Sequence, residues 1–227
     1  VIAYNPYDAT GTADWADITK GVQNLKANGA SVVNMSLGVP GTTFDKGWNK
    51  VLTDLSVMLT LKNTVFVMAA GNDGVTQTQN VEWNILNPAF IVVGSVDVEG
   101  NISNFSNRPG EACLTTFGLC LGDRLKNHFI VAPGELILVS DGNGGVTRQI
   151  GTSFAAPLVS GAIALLHDRW PWLANFPRET TKVILESAKD LGAPGVDGVY
   201  GHGLLDVTAS QSPLDFNKLI FFTVENG

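Results

Sequence analysis

The sequence predicts a three-layer α/β fold, in which helices cover both faces of a mostly parallel central sheet. Apolar strands alternate with helical patterns over the first 70 residues, which is typical of such a sheet. Residues 65–70 (VFVMAA) and 91–96 (IVVGSV) are almost continuously apolar, as expected of strands buried on both faces. Active sites in these folds lie at the carboxyl ends of strands, so the turns after the strands are the first candidates for chemistry.

Length and composition fit one large domain. The chain has 227 residues, 44% of them hydrophobic, which is enough to bury a substantial core. Its formal net charge of −7, from 14 basic and 21 acidic residues, disfavours nucleic acid or an anionic membrane as a partner. The longest apolar run, residues 154–166, is too short and too interrupted to span a bilayer.

The first half of the chain supplies helices and strands in alternation. Residues 1–4 (VIAY) lack an initiator Met and are expected to be a strand already in progress, inside a larger protein. Thr12 or Asp14 is expected to cap a helix that ends at Gly29 and has an apolar stripe made by Trp15, Ile18, Val22 and Leu25. A strand at 31–35 and a helix over about 43–61 follow, and the inward side chains of that helix are Trp48, Val51, Leu52, Leu55 and Leu59.

The second half continues the pattern. Strands are predicted at 91–96 and 129–131, and residues 136–139 and 146–150 are predicted to form a hairpin. Near the carboxyl end, residues 178–188 are predicted to be an amphipathic helix and residues 219–224 a late strand.

Residues 151–161 (GTSFAAPLVSG) organise the rest of the chain. After Ser153 nearly every residue as far as 166 is small or apolar all round the helical wheel, which predicts a helix buried in the centre of the domain. Thr152 is its expected N-cap, and Pro157 lacks the N–H that would otherwise bond the carbonyl of Ser153. Such a helix start offers unpaired N–H groups to a negative charge beside Ser153, which suits a serine nucleophile attacking a carbonyl.

Asn72 follows a predicted buried strand, within the segment GNDG at 71–74. By itself this tetrapeptide indicates a turn, since Asn and Gly tolerate left-handed backbone. Its place at the carboxyl end of a strand also allows the side-chain amide to reach over the edge of the sheet toward Ser153. An amide there can donate a hydrogen bond to the oxyanion that forms when a serine attacks a carbonyl.

Together these segments resemble the subtilisin-like serine proteases. Residues 151–161 are similar to the nucleophile segment of that family, G-T-S-x-A-x-P-x-V-x-G, and residues 65–72 to its V-V-A-A-A-G-N. Residues 32–38 (VVNMSLG) match the family strand I-N-M-S-L-G, residues 132–134 its A-P-G and residues 200–204 its Y-G-x-G-L. The resemblance covers almost the whole chain. It implies that residues 1–210 are the carboxyl-terminal part of a subtilisin-like peptidase domain and residues 211–227 an extension.

The resemblance also implies a serine endopeptidase acting on proteins or peptides. Ser153 would be the nucleophile, and Asn72 would stabilise the oxyanion together with the backbone N–H of Ser153. Asp73 resembles an acidic family position near the first specificity pocket. The substrate-binding backbone of the family corresponds here to Ser36, Leu37, Gly38, Ala70 and Gly71. The chemistry needs no cofactor, and structural calcium is usual in the family.

The catalytic Asp and His of the family are expected upstream of this chain. The family carries them in D-[ST]-G and H-G-T-x-V-A-G motifs before the I-N-M-S-L-G strand, and neither motif occurs before Val32. Residues 8–11 (DATG) are a near match, but no His follows them before that strand. His128, His167 and His202 are expected to be structural or solvated. The fold is therefore expected to be incomplete at its N-terminal side, and the missing third to be a partner of this chain.

Two other functions stay open at this point. A non-catalytic peptide-binding protein would keep the fold and the groove without the triad, although the presence of both Ser153 and Asn72 argues against it. An esterase or lipase would carry G-x-S-x-G with its acid and His downstream, whereas residues 151–155 are GTSFA.

Cys113 and Cys120 are the two cysteines of the chain. The glycines around them indicate an exposed loop, and a disulfide closing it would contribute roughly 2.5 kcal/mol. Two free buried thiols are the alternative. A disulfide points to an oxidising compartment, so a secreted protein, extracellular or periplasmic, is expected.

Overall fold

A parallel β-sheet lies at the centre of the computed structural model, which describes residues 1–53, 63–83 and 88–212. The strands are β1 (Val32–Met35), β2 (Val65–Ala69), β3 (Val81–Glu82), β4 (Ala89–Val96), β5 (Cys113–Thr116), β6 (Leu119–Arg124), β7 (Phe129–Pro133), β8 (Ile137–Ser140) and β9 (Val146–Gln149). The helices are α1 (Trp15–Ala27), α2 (Gly47–Thr53), α3 (Thr152–Arg169), α4 (Pro177–Glu186) and α5 (Val207–Ser210), with 3₁₀ helices at Leu125–His128 and Pro171–Asn175.

The central sheet has the strand order β1-β2-β4-β7, and all of its pairs are parallel. Successive residues of β2 face opposite sides of the sheet: Phe66 and Met68 belong to one core, and Val65 and Val67 to the other. Both sides of the strand are therefore apolar, which explains its unbroken hydrophobic sequence. The predicted α/β class and the mostly parallel sheet are confirmed.

One face of the sheet is covered by α1 and α2. Asp14 caps α1, because its carboxylate accepts a hydrogen bond from the N–H of Asp17 (2.8 Å), so Asp14 and not Thr12 begins this helix. The predicted inward residues of α2 that the structure describes are buried, namely Trp48, Val51 and Leu52.

The opposite face is covered by α3 and α4. The residues of α3 that pack into this core are Ala155, Ala156, Val159, Ala162, Ile163 and Leu166. The prediction that this helix is buried all round is wrong, because a stripe on its other side is open to solvent. Leu158 is 40% exposed and Leu165 is 55% exposed. None of the described helices has the length and apolar character needed to cross a membrane.

The first residues do not form the predicted strand. Val1 to Ala3 are exposed, and the ring of Tyr4 packs against Gly21 of α1, where a Cβ would come within 2.7 Å of it. An apolar segment becomes a strand only where a neighbour completes its backbone hydrogen bonds, and no described strand pairs with residues 1–4.

Helix α2 begins later than predicted. The carboxylate of Asp45 accepts a hydrogen bond from the N–H of Gly47 (2.6 Å), so residues 43–46 form a turn before the helix. The rest of the predicted helix, with Leu55 and Leu59, lies outside the described residues, as does the predicted strand at 219–224.

The cysteine segment is a β-hairpin and not a loop. Strands β5 and β6 pair antiparallel, and Phe117 and Gly118 turn between them with positive φ (52° and 74°). The carboxylate of Glu82 accepts hydrogen bonds from both turn N–H groups, at 2.6 and 3.1 Å. Cys113 and Cys120 form the expected disulfide, with their Cα atoms 5.8 Å apart. Gly118, one of the glycines that suggested a loop, supplies the conformational freedom that this tight turn needs.

We predict that Ile163→Ala destabilises the fold much more than Leu165→Ala. Both residues lie on α3, but Ile163 is fully buried against the sheet whereas Leu165 is 55% exposed. Truncating Ile163 leaves a cavity, so the free energy of unfolding falls by about 2–5 kcal/mol, against less than about 1 kcal/mol for Leu165. Urea denaturation of the two variants measures the difference. Equal losses would contradict the exposed position of Leu165.

Candidate active site

The N-terminus of α3 meets the turn after β2 through Thr152 and Asn72. Thr152 is fully buried, and both its N–H and its hydroxyl donate to Oδ1 of Asn72, each at 2.9 Å. The hydroxyl also accepts from the N–H of Gly71 (3.1 Å). The predicted N-cap role of Thr152 is therefore wrong. Gly151 is the N-cap, and Thr152 is the first helical residue, which joins the helix to the end of the strand.

These contacts orient the amide of Asn72. Because Oδ1 takes two donors from Thr152, Nδ2 is the end of the amide that is left to donate elsewhere. Nδ2 lies beside the helix start, 3.5 Å from the place that a Cβ on Gly151 would occupy. Within the described ranges, neither Nδ2 of Asn72 nor the N–H of Ser153 has a hydrogen-bond partner. Two donors are thus available at the positive end of α3.

Ser153 is held through its carbonyl. As predicted, Pro157 leaves this carbonyl without its helical N–H, and the hydroxyl of Ser36 donates to it instead (2.8 Å). Asn34 connects the same hydroxyl to a second point on α3, since its Nδ2 donates to Ser36 Oγ (2.9 Å) and its Oδ1 accepts from Ser160 Oγ (3.0 Å). The first turns of α3 are thereby fixed to the end of β1, while Ser153 itself stays partly exposed.

A cleft of about 270 Å³ opens at Ser153, next to the ends of β1 and β2. The predicted site residues that line it are Ser36, Leu37, Gly38, Gly71, Asn72, Asp73 and Ser153. Ala70 is not among the lining residues: it is buried, and its N–H donates to the carbonyl of Val93 in β4 (2.9 Å). Tyr7 also lines the cleft. Sequence reasoning gave Tyr7 no role.

Asp73 connects the turn after β2 to the loop after β1. Its Oδ2 accepts hydrogen bonds from the N–H of Gly41 (3.0 Å) and from Nδ2 of Asn107 (3.4 Å). The carboxylate therefore holds the loop that carries Gly38 against the mouth of the cleft. Within the described part of the chain, its other oxygen, Oδ1, has no such contact.

The three histidines lie elsewhere. Nε2 of His128 contacts the carboxylate of Asp123 at 3.0 and 3.1 Å, and the imidazole ring stacks on Phe90. Nε2 of His167 lies 3.1 Å from Thr180 Oγ1, and Nε2 of His202 lies 3.2 Å from the carbonyl of Asn127. Burial lowers the pKa of both His167 and His202, which keeps them neutral at pH 7. None of the three lines the cleft at Ser153.

Sequence reasoning missed two residues of the site, Asn34 and Asn107. Asn34 lies inside the segment that resembles I-N-M-S-L-G, and a polar side chain within a mostly apolar strand was an available signal. Asn107 follows a serine in a polar loop and carries no pattern of its own. No group of three or more His, Cys, Asp or Glu side chains suited to a metal ion occurs in the described ranges, so we assign no calcium ligands.

Comparison with known proteins identifies related chains. The model of the subtilase family, Peptidase S8, matches residues 1–203. Subtilisin DY from Bacillus licheniformis is 28% identical over 89% of this chain and 65% of its own length. The autotransporter lipoprotein NalP from Neisseria meningitidis serogroup B is 48% identical over 72% of this chain and 15% of NalP. Serotype-specific antigen 1 from Mannheimia haemolytica is 34% identical over 68% of this chain and 16% of its own length. The chain thus spans less than two thirds of these relatives.

Solved structures share the fold. The prenylagaramide maturation protease PagA superposes with a TM-score of 0.65 and 26% identity, over 88% of this chain and 67% of PagA. The patellamide maturation protease PatA gives a TM-score of 0.64 and 27% identity, over 89% of this chain and 70% of PatA. With a family model that matches 203 of the 227 residues, we conclude that this chain belongs to the subtilase family of serine peptidases.

Proposed function

We propose that this chain carries the nucleophile and the oxyanion site of a secreted serine endopeptidase. The observation that carries the proposal is the pair of hydrogen bonds from Thr152 to Oδ1 of Asn72. They leave Nδ2 of Asn72 and the N–H of Ser153 to donate at the start of α3. Two such donors suit the oxygen of a tetrahedral intermediate formed on Ser153 Oγ. Membership of the subtilase family supports the same reaction.

In the reaction, Ser153 Oγ adds to the carbonyl carbon of the scissile peptide bond. The developing oxyanion accepts hydrogen bonds from Asn72 and from the backbone of Ser153, and the carbon–nitrogen bond then breaks to give an acyl-enzyme. The proton of the hydroxyl passes to a base and from there to the leaving amine, and water later hydrolyses the ester by the reverse use of the same base. The start of α3 thus supplies the hydrogen-bond donors that stabilise the oxyanion.

The base and its orienting carboxylate come, in this proposal, from polypeptide upstream of Val1, in the same chain or in a separate one. The contacts of His128, His167 and His202 with other parts of the fold support this assignment. Subtilisin DY, of which this chain covers 65%, supports it as well, since a third of that relative has no counterpart here.

The exposed stripe of α3 is the surface to which we propose that the upstream polypeptide binds. It forms one side of an apolar groove of about 710 Å³ that is lined by Pro133, Pro157, Leu158, Gly161, Ala162, Ala164, Leu165, Leu205 and Val207. Small residues along the helix allow a second element to approach its backbone closely, and burial of Leu158 and Leu165 would stabilise that contact. We place the upstream segment in this groove, next to the helix whose second residue is the proposed nucleophile, Ser153.

The substrate is proposed to be a protein or peptide bound in an extended conformation along Ser36, Leu37 and Gly38, with Gly71 on the opposite wall of the cleft. The free oxygen of Asp73 is available to a basic or polar side chain of the substrate. A secreted location, extracellular or periplasmic, agrees with the disulfide and with the autotransporter character stated in the name of NalP.

We predict that Asn72→Ala in the intact parent protein lowers kcat by about 100- to 1000-fold, because one oxyanion donor is lost. Asn72→Asp is the matched variant: it keeps an oxygen for the donors of Thr152 but places a carboxylate oxygen where Nδ2 was. It should be at least as slow as the alanine variant, with thermal stability close to that of the wild type. Steady-state kinetics on a peptide substrate checks both. An unchanged kcat in either variant would assign Asn72 to the turn alone.

We predict that Asp73 selects for a basic side chain immediately before the scissile bond. Asp73→Asn keeps an oxygen for the N–H of Gly41 but removes the negative charge, so kcat/KM for substrates with Lys or Arg there should fall by roughly tenfold relative to those with Leu. Cleavage of a peptide library by both proteins provides the comparison. An identical preference in the two profiles would leave Asp73 with only its contacts to Gly41 and Asn107.

We predict that residues 1–227 alone are neither stably monomeric nor active. Without a base the hydroxyl of Ser153 stays protonated at neutral pH, and the open groove leaves apolar surface exposed. Adding the upstream segment of the parent should raise the melting temperature and at the same time allow a phosphonyl reagent to label Ser153, with Ser153→Ala as the control. A monomeric chain of residues 1–227 that hydrolyses peptides at an ordinary protease rate would show that the base lies within it.

A further inference from the structure

The turn that carries Asn72 is held by the hydrogen bonds of one buried side chain, the amide of Asn107. Asn107 lies in the segment after β4 and is fully buried. Its Oδ1 accepts from the N–H groups of Asp73 (2.9 Å) and Val75 (3.2 Å). Its Nδ2 donates to the carbonyl of Thr42 (2.9 Å) and to Oδ2 of Asp73 (3.4 Å). Every hydrogen-bonding site of this amide is therefore used.

The backbone of Asn107 also forms a hydrogen bond to this turn, at the end of the turn that precedes Asn72. Its N–H donates to the carbonyl of Gly71 (3.0 Å), so Asn107 holds the residue before Asn72 as well as the residue after it. Gly71 has a φ of +100°, and a Cβ there would come within 2.4 Å of Nδ2 of Asn107. Only glycine permits this close approach with such a backbone.

We infer that Asn107 is a positioning residue for the oxyanion donor, an inference that rests on the proposed function. Thr152 sets which end of the Asn72 amide is free, and Asn107 sets where the backbone of Asn72 lies. An oxyanion donor must sit within tenths of an ångström of its working position to stabilise the transition state. The link to Thr42 also ties this turn to the segment after β1, which forms the facing wall of the cleft.

Other contacts keep the segment folded when Asn107 is truncated. The N–H of Gly74 donates to the carbonyl of Phe105 (2.7 Å), and the N–H of Arg108 donates to the carbonyl of Val75 (2.9 Å). Neither contact reaches Asn72. A truncation at position 107 therefore loosens the turn around Asn72 while the flanking strands stay paired.

The test uses the intact parent protein. Asn107→Ala should lower kcat on a peptide substrate by roughly 10- to 100-fold, with KM within about threefold of wild type. If Asn107 acts through Asn72, the double variant Asn72→Ala/Asn107→Ala should match Asn72→Ala within about threefold, because the effects do not add.

Thr180→Val is the control variant. Thr180 is also fully buried and hydrogen-bonded but lies in α4, so this variant should lose stability and keep its kcat. An unchanged kcat in Asn107→Ala, or effects that multiply in the double variant, would overturn the inference.

Amide hydrogen exchange separates this inference from the proposed function. In Asn107→Ala the amides of Asp73 and Val75 should exchange at least about tenfold faster than in wild type, and in Thr180→Val they should not. If the wild-type parent cleaves no peptide, the proposed function fails, and exchange then tests separately whether Asn107 holds the turn around Asn72. Unchanged exchange at Asp73 and Val75 would overturn the inference.

Discussion

The hydrogen bonds between Thr152 and Asn72 are the contact on which the rest of the site depends. They join residues 80 positions apart and connect the start of the central helix to the end of a central strand. A buried helix N-terminus has N–H groups that need partners, and here one of them is satisfied by a side chain from the sheet. That side chain is an amide, so satisfying the helix through its oxygen leaves its nitrogen as a donor. In the proposed reaction, one structural requirement of the fold therefore also provides an oxyanion donor.

Much of the fold could be predicted because it depends on local patterns. Continuous apolar runs marked the central strands, and Pro157 correctly indicated that the carbonyl of Ser153 would be free for another donor. Predictions failed where distant partners decide. Thr152 has the residue type of an N-cap, but it is the first helical residue, and its N–H and hydroxyl both donate to Asn72. Residues 1–4 have the composition of a strand, but no described strand pairs with them. The hydrogen bonds of Asn107 could not be predicted from the local sequence, since its partners lie more than 30 residues away.

The two sides of α3 differ in character, and the difference agrees with our proposal that further polypeptide completes the site. One side packs into the core with small and branched residues, which lets the helix run close against the sheet and places Ser153 at its edge. The other side carries exposed apolar residues along the groove, where a soluble surface would be polar. In our account the upstream polypeptide fills that groove and brings the base to Ser153. Burial of the helix and completion of the catalytic group would then be the same event.

The most direct measurement is a crystal structure of the intact parent with a peptide in which a phosphonate replaces the scissile carbonyl and is bonded to Ser153 as a transition-state mimic. We expect a tetrahedral adduct on Ser153 Oγ whose oxygen lies about 2.7–3.1 Å from both Nδ2 of Asn72 and the N–H of Ser153. We also expect Oδ1 of Asn72 to keep its two donors from Thr152. An adduct on Ser153 whose oxygen points away from Asn72, or an amide turned so that Oδ1 faces the adduct, would contradict our account.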